Sequence, residues 1–245
     1  MRHATKSTWV RFHPVSRVII GVASVLILVL FAGVDRIGSA LAHFAPGPDF
    51  EARCAALPPS AIDVAVAPHA VTENRATPFE ALTRLSEGPS PGHRTVGLTL
   101  ANFGHRSTFE VKGLEDRRGA RACIRPQVSV ELYVQPLTVF VAREFSGDPC
   151  RARVIREHEE RHVAVYVEFA REAALQLRYD LARTLGVEPL YAGDVAEAQR
   201  LLDRKLAHTL DGFMREAQRT LAERQARIDT SEEYERVRTA CMLPT

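Results

Sequence analysis

The chain has 245 residues, enough for one domain with a sizeable core plus appendages, and 46% of them are hydrophobic, which excludes a disordered or low-complexity protein. Its formal charge of +2 hides an asymmetry. Five of the 32 basic residues but one of the 30 acidic ones precede residue 43, leaving 27 basic against 29 acidic residues, or −2, in the remainder; with no clustered basic face, no nucleic-acid partner is expected.

Residues 1–17 are polar and basic, with no acid among them, and an uncharged run of 17 residues, apolar but for Ser24, occupies 18–34. That length sits at the lower limit for a membrane-spanning helix. Two readings stand: a signal anchor held by its positive flank, or a signal peptide cleaved at Ala40-Leu41-Ala42. The long apolar core favours the anchor, hence an inner-membrane tether, and both readings export the remainder of the chain. Residues 1–42 are therefore assigned to this N-terminal helix. The Pro-rich stretch 43–60, which contains Cys54, reads as a linker to a domain spanning 61–245.

Within that domain, residues 62–66 alternate and predict a strand. Thr77 and Pro78 open a short helix as N-cap and first turn, and Gly88-Pro89-Ser90-Pro91-Gly92 closes it. Residues 94–102, with Val96, Leu98 and Leu100 on one face, predict a second strand; residues 108–111 are a weaker candidate, and 115–119 a turn. The best strands are 123–134 and 137–145, with Val128, Val130, Leu132 and Val134 alternating before Gln135-Pro136 and Val139 and Val141 after it. A hairpin folded near Pro136 would set Cys123 opposite Cys150. Four cysteines in an exported domain favour two disulfides, and of the three connectivities that sequence leaves open Cys123–Cys150 with Cys54–Cys241 is the favoured one.

Asp148 or Cys150 starts a long helix that ends at Gly186. It carries His158-Glu159-Glu160-Arg161-His162, an H-E-x-x-H sequence. Residues i and i+4 of a helix lie one above the other, so both imidazoles can reach one metal ion, with Glu159 beside it to act on water. Zinc suits this set: a catalytic zinc site takes three protein ligands and keeps an open position. A solvated, charged helix face is the plain alternative. The helical wheel argues against it, because His158 and His162 fall in the apolar stripe of Ile155, Tyr166, Phe169 and Ala173, whereas Glu160 and Arg161 fall outside.

A second long helix, capped by Asp194, is predicted to run to about Asp229, with a stripe of Leu202, Leu206, Leu210, Phe213, Ala217 and Leu221. Two long helices joined by a short loop pack antiparallel. The expected class is thus α+β, a small antiparallel sheet on two long antiparallel helices. For the third metal ligand, Glu168 points more than about 100° away from His162 on the same helix and is rejected. With the connection centred near residue 189, the stretch opposite residue 160 lies near 218. Glu216 beside Phe213 is then the first choice, Glu223 the second and Asp229 a lesser one. A final short helix opens at Asp229-Thr230-Ser231-Glu232.

Three segments, Cys123-Ile124-Arg125-Pro126-Gln127-Val128, the H-E-x-x-H and Gln225-Ala226-Arg227-Ile228-Asp229-Thr230, together with Gly97-Leu98-Thr99, carry a resemblance. In that order they are similar to a bacterial domain-of-unknown-function family described as secreted zinc-dependent proteases and grouped with the zincins. The resemblance spans roughly residues 60 to 240, and the chain departs from it at Arg161 and Ala164. It implies a zincin-like, exported, metal-binding protein of the cell envelope. On this reading a peptide or protein substrate lies along the strand at 137–145, Glu159 takes a proton from water at the zinc, and Tyr166, Tyr234 or Arg238 supports the oxyanion. The alternative is a non-catalytic, membrane-tethered envelope protein that uses the same scaffold to bind a partner.

Overall fold

In a computed structural model of the protein, the described residues are 49–86, 94–116, 120–186 and 188–242. The apolar run at 18–34 and the segment 40–42 lie outside them, as do residues 117–119 of the expected turn. Among the described residues no helix is long and apolar enough to cross a membrane. The class is mixed α and β, with a five-stranded sheet and several helices.

The sheet is organised on one strand, β4 (Arg121–Val141), and is mixed rather than antiparallel as expected. Along one edge β4 pairs antiparallel with β3 (Gly97–Asp116) over nearly its whole length. Along the other edge three short strands lie end to end. Residues 190–192 form β5, antiparallel to β4, while β1 (Ala61–Val66) and β2 (Val71–Asn74) both run parallel to it.

The hairpin expected at Pro136 is therefore absent: β4 continues through the proline, and its hairpin partner is β3. The reason is local. Proline has no N–H to give a ladder, so it is tolerated in a sheet only at edges, bulges and strand starts. Pro136 lies opposite the register shift between Ala101 and Phe103, and on its other side falls between Leu132, where β1 stops, and Leu137, where β2 begins. The bulge also moves the buried positions from Val128, Val130, Leu132 and Val134 to Leu137, Val139 and Val141, so one face continues toward the helices.

With β4 a single continuous strand, Cys123 and Cys150 stand at opposite ends of it, on the order of 50–60 Å of chain apart. The disulfides are Cys54–Cys123 and Cys150–Cys241, with Cα separations of 6.3 and 5.9 Å, which corrects both expected pairings. Cys54 sits on a short helix, α1 (Phe50–Ala55), inside the stretch read as a linker. Two disulfides are the mark of an oxidising, extracytoplasmic environment.

After α2 (Phe79–Leu85) come three helices, α3 (Pro149–Leu185), α4 (Val195–Ala226) and α5 (Ser231–Thr239). Asp148 caps α3 by accepting the Arg151 N–H, and Gly186, at φ 70, ends it as expected. Asp194 caps α4 in the same way. The main core joins Ile124, Val130 and Leu132 of β4 to Leu177 and Leu181 of α3 and Leu202 and Leu210 of α4. Each such side chain contributes about 1.5–3 kcal/mol by leaving water. Arg224 fixes the pairing of α3 with α4: its guanidinium lies 5.2 Å from the centre of the Phe169 ring and donates to Glu172 at 2.7 Å. A smaller apolar cluster of Val96, Val141, Ile155 and Val237 holds α5 against the first half of α3.

Candidate metal centre

The H-E-x-x-H segment lies on α3 where β3, the end of α4 and the start of α5 meet. His158 and His162 are buried, as the apolar stripe required, and Glu159 is buried beside them. The two Nε2 atoms are 3.2 Å apart, and Asp229 Oδ1 lies 3.1 Å from one and 3.3 Å from the other. His158, His162 and Asp229 thus form a group that can hold a metal ion. A tetrahedral ion bonded at about 2.0–2.1 Å keeps its ligands about 3.3 Å apart, so this triangle has the size of one face of such a tetrahedron.

The far side of each ring is committed to an acceptor. His158 Nδ1 donates to Glu233 Oε1 at 3.1 Å, and His162 Nδ1 donates to Gln225 Oε1 at 2.6 Å. These bonds place the ring protons on Nδ1 and turn the lone pairs of both Nε2 atoms toward Asp229. Three electron-rich atoms at such distances repel one another unless a proton or a cation sits among them. Gln225 holds His162 twice, because its Nε2 also donates to the His162 carbonyl at 3.3 Å. Glu233 occupies the capping-box position three residues after the Thr230 N-cap, yet it serves His158 and ion-pairs with Arg161 and Arg236 instead of closing the box. Arg161 thereby acquires a partner.

The electrostatics reflect this packing. Burial alone would depress both imidazoles, but Asp229 with Glu233 or Gln225 outweighs it, and both titrate above the usual histidine value. Asp229 is raised by burial and then pulled well below the carboxylate range by the two histidines, whose Nε2 atoms donate to it when the rings are protonated. Glu233 is held low first by Arg236, then by Arg161 and His158. Glu159 moves the other way: burial raises it, against the histidines and the Thr99 hydroxyl. That hydroxyl lies 2.9 Å from Glu159 Oε2.

Opposite the other oxygen is Gly97, where an added Cβ would lie 2.5 Å from Glu159 Oε1 and 2.6 Å from Ile155 Cγ2. Only glycine leaves room for this carboxyl. Gly97→Ala is expected to slow any reaction that uses Glu159 by about 10–100-fold while metal content stays stoichiometric, because a displacement near 1 Å is enough for such a loss. Turnover and metal analysis of the same preparation check this.

The structure does not bring Glu216 to the histidines. Its side chain is 62% exposed and ion-pairs with Arg219, which also holds the exposed Glu223. The cause is a register difference. His162 meets Gln225, whereas a connection centred at residue 189 would set it against residue 216. The contact lies nine positions further along α4 than that midpoint places it, so Asp229, in the turn after the helix, is the carboxylate that reaches the histidines. Glu168 is exposed on α3, as the wheel required. Thr99, Gln225 and Glu233 carry no signal of their own as site residues.

A cavity of about 830 Å³ opens at the three ligand atoms. It is bounded by the start of β3, the first half of α3 and α5. Tyr166 and Tyr234 both line it, and burial with the nearby Asp229 pushes the Tyr234 hydroxyl up to about 12. The strand at 137–145 does not border it as a free edge, since β4 is paired on both sides there. Among the described residues the free edge beside Glu159 belongs to β3. Compared with known proteins, the chain matches no family model, no curated protein and no solved structure.

Proposed function

We propose that the protein is a zinc-dependent peptidase of the bacterial cell envelope, with His158, His162 and Asp229 as metal ligands and Glu159 as general base. The observation that carries this reading is the ligand triangle with a buried glutamate beside it, facing an open cavity. Two imidazoles and one carboxylate are a frequent catalytic zinc set, and the outer partners Gln225 and Glu233 orient the rings as zinc ligands require. A bound zinc ion would polarise the scissile carbonyl and make a nearby water easier to deprotonate.

The chain's own residues do the rest. Glu159 Oε2 is anchored by Thr99, leaving Oε1 to accept the proton of the attacking water and pass it to the leaving amine. Its raised pKa suits a group that must both take and return a proton. Tyr234, protonated throughout the physiological range, can turn its hydroxyl from Asp229 to the developing oxyanion. An extended peptide would add to the free edge of β3 near Gly97 and Thr99, in place of the strand expected from the sequence. The disulfides support export, and the run at 18–34 serves in this proposal as the inner-membrane tether.

Glu159→Gln is the test. Hydrolysis of an unstructured protein substrate by the zinc-loaded enzyme should fall by about 10²–10⁴-fold with zinc retained. Activity that survives this change overturns the mechanism. A non-catalytic partner-binding role predicts no turnover in the wild type either.

A further inference from the structure

The cavity is not uniform along its length. From the metal ligands toward the start of α3 it is apolar, lined by Val96, Ile155 and Val237, and beyond them it is cationic, lined by Arg94, Arg151 and Arg238. Among the described residues the acids lining the cavity are Glu159 and Asp229, both at the histidines. Arg151 and Arg238 do have carboxylate neighbours, Asp148 at 3.5 Å and Glu235, but these lie outside the lining. Arg94 makes no ion pair among the described residues and rests over the Phe79 ring at 4.9 Å.

Two elements place this charge at the same depth independently. On α3, Arg151 precedes His158 by seven residues, about 10 Å along the helix axis. On β3 and the residues leading into it, Arg94 precedes Gly97 by three, again about 10 Å. Ten ångströms is about three residues of an extended peptide. Arginine side chains reach several ångströms, so the positive field acts on the second and third residues from the scissile bond. The apolar section covers the first.

We propose that this cavity selects peptides with a large apolar side chain next to the cleaved bond and a negative charge, from Asp, Glu or the chain's terminal carboxylate, two or three residues further on the same side. The inference rests on the peptidase reading and names its substrate class. Carboxylates are matched by the arginine fork, whereas a lysine at the same position meets like charge.

The test is to digest a mixed peptide library with the zinc-loaded enzyme and sequence the products by mass spectrometry. Leu, Ile, Phe or Met should flank the cut, with acidic residues enriched about fivefold over basic ones at the second or third position on that side. Arg94→Glu with Arg151→Glu should reverse the charge preference while cleavage continues, and both side chains are exposed enough to be changed without disturbing the core. A direct binding measurement separates recognition from turnover: zinc-loaded Glu159→Gln should bind a Leu-Ala-Glu peptide at least about threefold more tightly than its Leu-Ala-Lys counterpart. Cleavage without charge preference, or equal binding of the two peptides, overturns the inference and leaves the peptidase reading standing. No cleavage of any peptide overturns both.

Discussion

Asp229→Ala is expected to lower zinc affinity by about 100-fold or more, because a protein-bound zinc ion is held by about 10–16 kcal/mol and each of the three protein ligands carries at least about 3 kcal/mol of it. Glu216→Ala should leave affinity within about twofold of wild type, since it removes a solvent-exposed ion pair with Arg219 of little energetic weight. The comparison separates the ligand the sequence favoured from the one the fold supplies. Competition against a chromophoric chelator measures both. The pH must be held constant, because both imidazoles titrate above their ordinary value in the metal-free protein and must lose a proton to bind. Affinity therefore falls as pH drops through those raised values. Wild-type affinity in Asp229→Ala, or its loss in Glu216→Ala, would show that the Nε2–Nε2–Oδ1 triangle is not the binding site.

The contrast between these two carboxylates shows how far a sequence carries a site. His158, Glu159 and His162 are related by helical period alone, so their common face is legible from spacing and stripe. The third ligand depends on the register of α4 against α3, which the length and path of the connection between them leave open. That path includes β5, three residues whose pairing with Ala122, Cys123 and Ile124 no local pattern announces. An error of nine positions is two and a half turns of α4, enough to exchange a turn aspartate for an exposed glutamate. The same limit explains the strand at Pro136. A parity switch in the buried positions is plain in the sequence, but a turn and a bulge produce the same switch, and the choice rests on partners far along the chain. With β4 read as a hairpin, the expected cysteine pairing inherits the error. Local rules hold where only local geometry is asked of them: the Asp148 and Asp194 caps, the stop at Gly186 and the inward face of the histidines.

Selective reduction of Cys150–Cys241 is expected to release the metal from an otherwise folded protein. This disulfide ties the first turn of α3 to the residue just past α5, and α5 carries Glu233 and Tyr234 directly after the Asp229 turn. A nine-residue helix has no independent stability, since isolated helices shorter than about 12–15 residues are marginal in water. The disulfide, the Thr230 cap, Val237 in its apolar cluster and the Glu233 network together hold α5, so each is strengthened by the others. Breaking the link costs about 2–4 kcal/mol by the usual measure of a long closed loop. That loss falls on α5 first, because α3 and α4 are fastened to the sheet by the main core. Asp229 and Glu233 then lose their fixed positions, and zinc affinity should drop by about 10–100-fold, the range seen when outer ligand partners are removed, so a chelator matched to the wild-type affinity takes the metal. The two bonds differ in access: Cys54 and Cys123 are completely buried, whereas Cys150 and Cys241 are only partly buried. Thiolate attack needs that access, so a brief, mild reductant treatment should expose two thiols and not four. Zinc release coincident with the appearance of those two thiols, and with helical circular dichroism nearly unchanged, is the expected result. Undiminished zinc affinity in protein with two free thiols at Cys150 and Cys241 would mean that α5 holds its place through the His158–Glu233–Arg161 network alone, and that the disulfide contributes to stability without shaping the metal centre.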